Sequence, residues 1–97
     1  MEEARRKRAI AKGQFTRAET KLQTAVTTQA DICTVLTVQR RYAELKARWD
    51  TTQDAHDEYA SLLTDEERDA EELWLTEIYD RFDKLEIEAD NFIKENL

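Results

Sequence analysis

Apolar residues in the middle of the chain recur three and four positions apart. Val35, Val38, Tyr42, Leu45, Trp49, Thr52, His56, Tyr59 and Leu63 all fall on one seam. A mean step of about 3.5 residues belongs to helices that pack along one face, whereas a strand would alternate at every second position. At ~1.5 Å per residue, a helix of about thirty residues is roughly 45–50 Å long, so the fold is expected to be elongated. Little in the composition interrupts such a helix: the 97 residues hold no Pro and one Gly, Gly13. The same scarcity argues against a β-sandwich, whose turns draw on Gly or Pro every ~8–12 residues.

The first thirty residues carry their own seam: Ala4, Arg8, Ala11, Phe15, Ala18, Leu22, Ala25 and Gln29. Extending that frame would bury Gln39, Lys46 and Asp50, so the phase breaks within Thr27–Thr34. Asp31 reads there as an N-cap, its carboxylate accepting free N–H groups of the next turn. A kinked continuous helix is the alternative at this break. The second break is sharper, because Thr64-Asp65-Glu66-Glu67 reads as a capping box. A third seam follows in Leu75, Ile78, Phe82, Leu85, Ala89 and Phe92, widened by Trp74, Tyr79 and Ile93. The pattern predicts an all-α fold: an elongated antiparallel three-helix bundle with coiled-coil-like heptad seams. Its helices are expected over about 2–28, 32–63 and 65–95, in one helical domain spanning 1–97.

Charge is spread unevenly. The formal total of −7 divides into +4 over residues 1–30, −2 over 31–63 and −9 over 64–97. An acidic total argues against nucleic acid as an obligatory partner of the whole chain. In an up-down-up bundle the first and third helices start at the same end. Arg5, Arg6, Lys7 and Arg8 are therefore expected beside the acidic run Asp65–Glu72. Exposed pairs are worth only ~0–1 kcal/mol each, so these charges select topology more than they stabilise. A second reading gives Arg5, Arg6, Lys7, Arg8, Lys12 and Arg17 to RNA or an anionic membrane, although the stretch Arg5–Lys12 has no interleaved aromatic residues to stack bases. Leu73 and Ile87 share an outer helix face two heptads apart, and with Trp74 they form a candidate self-association strip. Ile10 and Leu36 also lie off the seams. Gly13 costs ~1 kcal/mol relative to Ala inside a helix, and it marks either a close helix approach or a tolerated defect.

No reaction chemistry is encoded. His56 lies on the seam without the Glu-x-x-His pairing of helical di-metal sites, and it reads as a hydrogen-bonded core or half-core histidine that makes stability pH-sensitive. Cys33 has no second Cys beside it and reads as a small packing residue. No Ser/His/Asp set, phosphate-binding Gly loop or zinc spacing is present. The expectation is a non-enzymatic chain without metal or cofactor, whose partner is another protein or a second copy. A lone Cys and no signal-peptide pattern point to a reducing, cytoplasmic compartment.

Arg5–Leu22, centred on Lys12-Gly13-Gln14-Phe15-Thr16-Arg17, resembles the opening of Gag-type polyproteins of BEL/Pao-like LTR retrotransposons. The spaced series Leu45, Trp49, His56 and Tyr59 extends the resemblance, as do Asp65-Glu66-Glu67 and Glu72-Leu73-Trp74-Leu75. Together these stretches cover nearly the whole chain. The resemblance implies a structural, self-assembling role at the N-terminal end of a longer polyprotein, in particles that package RNA. The chain departs from that family in having no Cys-x-x-Cys/His zinc knuckle and no Asp-Thr/Ser-Gly protease motif. A spectrin-like cytoskeletal adaptor repeat shares the length and the heptads.

Overall fold

Alanine at every seventh position of the first seam lets a neighbouring helix come close. The computed structural model describes residues 2–27 and 33–96. In it α1 (Glu2–Thr27) buries Ala4, Ala11 and Ala18 together with Phe15 and Leu22. The second helix, α2 (Cys33–Ala60), runs back along α1, with Lys7 opposite Glu58 and Gln14 opposite Arg48. The buried Thr52 hydroxyl donates to Arg48 O at 2.7 Å and lies 3.4 Å from Ala11 O of α1. Side chains longer than Ala at the facing positions would not permit that approach.

The third helix, α3 (Asp65–Asn96), lies antiparallel to α2 and parallel to α1. It meets Tyr42 at Glu86 and Arg8 at Glu71. The result is an all-α three-helix bundle measuring 50 × 20 × 14 Å, with no strand among the described residues. Because α1 and α2 run antiparallel, the alternative of a kinked continuous helix near residue 30 is set aside. The Asp31 cap lies outside the described residues, as does the side chain of Cys33.

The main core joins Phe15, Ala18 and Leu22 of α1 to Val38, Leu45 and Trp49 of α2 and to Ile78, Phe82, Leu85 and Ala89 of α3. Fully burying each of Leu22, Val38, Leu45 and Ile78 contributes about 1.5–3 kcal/mol. Trp49 and Phe82 stack at 5.5 Å between ring centroids, and Phe15 tilts against both at 6.2 and 6.5 Å. A smaller cluster of Ala4, Tyr59 and Leu63 closes the end of the bundle where α1 begins.

The second corner has the predicted capping box. Thr64 N donates to Glu67 Oε1 at 3.2 Å, and Glu67 N donates to Thr64 Oγ1 at 3.3 Å. The Thr64 hydroxyl also donates to Glu67 Oε1 at 2.8 Å, and that bond first, then the one from Thr64 N, holds the Glu67 carboxyl below the usual carboxylate range. The α2 helix stops at Ala60, short of the expected residue 63. Its last turn tightens, with Leu62 N donating to Tyr59 O and Leu63 N to Ala60 O, both at 3.1 Å. That tightening turns Leu63 inward onto Ala4 and Tyr59. Arg68 secures the corner from α3, its Nε donating to Ala60 O at 3.2 Å.

Candidate functional site

The basic start of α1 divides its side chains among three directions, because successive residues of a helix are rotated by about 100°. Arg8 points into the bundle. Its guanidinium lies 4.2 Å from the Tyr59 ring centroid and 4.3 Å from that of Trp74, and Nη1 donates to Glu71 at 2.9 Å. Its side chain is 12% exposed. Lys7 points toward α2 and pairs with Glu58 at 3.0 Å, with both side chains mostly in solvent. The Arg5 guanidinium lies 5.9 Å from the Tyr59 ring centroid, and a hydrogen bond to Tyr59 raises its proton affinity above the ordinary arginine value. Lys12 approaches Trp74 at 5.9 Å. Arg6 and Arg17 are exposed, and neither belongs to an ion pair among the described residues.

The expected contact of the basic start with the acidic run at Asp65–Glu72 is therefore narrower than the sequence suggests. Arg8 makes it, through Glu71. Lys7 is turned by helical rotation toward α2, Arg5 lies against the Tyr59 ring, and Asp65 takes Arg68 of its own helix at 3.4 Å.

Beneath Arg8, the His56 ring stacks on Trp74 at 5.5 Å and 9°. His56 is fully buried, and neither ring nitrogen has a hydrogen-bond partner among the described residues. Nε2 stands 3.6 Å from Glu72 Oε1, too far for a hydrogen bond. The expectation of a hydrogen-bonded histidine is corrected here. Stacking on Trp74 fixes the ring plane, while the Glu72 carboxylate remains more than half exposed. Among the described residues, no group of three or more His, Cys, Asp or Glu is placed to hold a metal ion.

Leu73 and Ile87 do lie on the outer face of α3, 68% and 54% exposed. Trp74 does not join them. It is turned inward, sandwiched against His56 and Arg8, so it leaves the expected outer strip. Ile10 and Leu36 are exposed as their off-seam positions predict, and Leu62 and Tyr79 are exposed as well. A groove of about 330 Å³ runs beside Ile10 between α1 and α2, floored by Ala11 and Ala55 and edged by Lys7 and Glu58. Two further contacts had no clear signal in sequence. Arg81 crosses from α3 to Glu19 and Thr16 of α1 over the Phe15 ring, and its hydrogen bonds to Glu19 raise its pKa. The Tyr42 hydroxyl donates to Glu86 at 2.7 Å, and burial first, then that hydrogen bond, raises its pKa. A hint of the Arg8 sandwich was present, since Arg8 occupies a seam position that elsewhere holds Ala, Phe and Leu.

Comparison with family models, with curated proteins and with solved structures finds no match. No helix is long and apolar enough to cross a membrane among the described residues.

Proposed function

We propose that this chain is a non-enzymatic helical assembly module, working in the cytoplasm, that makes protein contacts through the outer face of α3. The observation that carries this reading is the exposure of Leu73 and Ile87 on one face of a helix whose opposite face is filled. Isolated apolar residues on a surface are ordinary, and here the two lie two heptads apart along the same line, with Asp80 between them. The test is sedimentation equilibrium over a range of concentrations. Average mass rises with concentration in the wild type, and Leu73→Glu with Ile87→Glu abolishes the rise while helicity is retained. A wild type that keeps the monomer mass throughout would sink the reading.

The narrower place, as the first structural part of a Gag-like polyprotein, rests on the resemblance of Arg5–Leu22 and the acidic Trp-Leu stretch. Coding sequence downstream of residue 97 that specifies a zinc knuckle supports it, and tandem copies of this unit favour a spectrin-like adaptor instead. Contact of the basic segment with RNA or anionic membrane is the second reading. It draws on the exposed Arg6 and Arg17, while Lys7 and Arg8 are ion-paired within the chain and Arg5 and Lys12 lie against Tyr59 and Trp74. Binding to RNA or anionic vesicles that falls steeply with salt, and is lost in Arg6→Glu with Arg17→Glu, is its signature.

A further inference from the structure

We infer that copies of this chain associate side by side and in parallel, the outer face of α1 on one copy seating on the outer face of α3 on the next. The inference rests on the assembly reading above and names the surface that opposes Leu73.

Gly13 supplies the first observation. A Cβ built there would meet only Arg17 Nη1 of its own helix, at 3.8 Å, an ordinary contact. No close approach inside the chain requires the glycine, yet it costs ~1 kcal/mol in a helix interior. It lies on the side of α1 away from the core, between exposed Ile10 and exposed Arg17. A second helix crossing there would use the missing side chain.

The second observation is register. Arg8 pairs with Glu71 at 2.9 Å and Glu19 pairs with Arg81, so residues 62–63 positions apart in sequence come within side-chain reach across the parallel helices α1 and α3. A neighbouring copy set alongside in that same register then brings Arg6 within side-chain reach of Asp69, Ile10 of Leu73, Gly13 of Thr76 and Arg17 of Asp80. Two cations meet two anions, one exposed apolar side chain meets another, and the glycine meets a short side chain. Arg6, Arg17, Asp69 and Asp80 are all exposed, and none belongs to an ion pair among the described residues. The charge gradient of the chain becomes a reason for copies to attract although each carries a net charge of −7. Because two different faces meet, the contact is heterologous and builds rings or open arrays instead of closing as a two-fold dimer.

The experiment uses charge reversal on the intact chain, with sedimentation at low and high salt and circular dichroism to verify the fold. Arg17→Glu alone sets two carboxylates against each other across the contact, and Asp80→Arg alone sets two guanidinium groups against each other. Each single variant weakens association by about tenfold, since like charges across a contact are costly. An equimolar mixture of the two variants restores it, because the Asp80 face of the first variant meets the Arg17 face of the second with both native charges in place. Added salt weakens the wild type. Single variants that associate like the wild type, or a mixture that stays monomeric, overturn the inference. If Leu73→Glu with Ile87→Glu still abolishes association in those cases, the assembly reading stands and the α3 faces pair some other way. A monomeric wild type at low salt overturns both.

Discussion

Arg8 sits where a helix seam ordinarily holds an apolar side chain, and three neighbours make that tolerable. Two ring faces contact the flat guanidinium and Glu71 balances its charge. Arg8→Ala leaves Glu71 without its partner and both rings uncovered, and should cost about 2 kcal/mol in urea unfolding. Arg8→Lys keeps the charge but not the planar fork, and should cost about 1 kcal/mol. His56 presents the opposite situation, a polar ring in the core whose nitrogens bond to nothing. His56→Leu removes those unsatisfied atoms at similar volume, so it should stabilise the chain by about 1 kcal/mol. For a chain of this size that is a rise of about 4–8 °C in Tm. A fall in Tm would mean that stacking on Trp74 outweighs the buried nitrogens. Both positions were legible as seam sites from spacing alone, and the up-down-up order placed the acidic run that holds Glu71 beside Arg8. The rings around them were not legible, because Tyr59 and Trp74 are brought in by packing and not by sequence neighbourhood.

At the scale of elements, boundaries were readable where local chemistry makes them. Thr64 and Glu67 satisfy each other's backbone donors within a few residues, so the sequence suffices to locate the start of α3. Thr64→Ala should cost about 1 kcal/mol at neutral pH. The pH dependence follows from the lowered Glu67 value. A carboxyl whose folded pKa is depressed adds stability above the ordinary carboxylate range and loses it as pH falls through the folded value. The gap between wild type and Thr64→Ala in urea midpoint should therefore narrow between about pH 5 and pH 3. An unchanged gap would assign the cap to the bond that the Thr64 hydroxyl accepts from Glu67 N, and not to the one it donates to the Glu67 carboxylate. The end of α2 was harder to read. Leu63 continues the 3-4 pattern and so looks helical, but its burial beside Ala4 comes through a tightened turn that periodicity does not distinguish from a further helical turn.

For the whole molecule, the spacing of α1 from α2 is set by Ala4, Ala11 and Ala18. Ala18→Leu adds volume where Ala18 is almost wholly buried, and should cost about 1–3 kcal/mol in calorimetry by pushing the helices apart. A neutral result would mean that Ala18 does not limit how closely the helices approach. The sequence alone determined three helices, the antiparallel order and the core stripe of each, because periodicity and caps are local properties that each helix carries whatever it packs against. Only tertiary structure decided that Trp74 turns inward, that Arg8 is sandwiched, that His56 goes unbonded and that Lys7 pairs with α2. Those outcomes depend on the axial height and rotation at which helices meet. Height and rotation follow from side-chain volumes on several helices at once, with Ala on one facing Thr52, Trp49 or Phe82 on another, so no single stretch of sequence contains them.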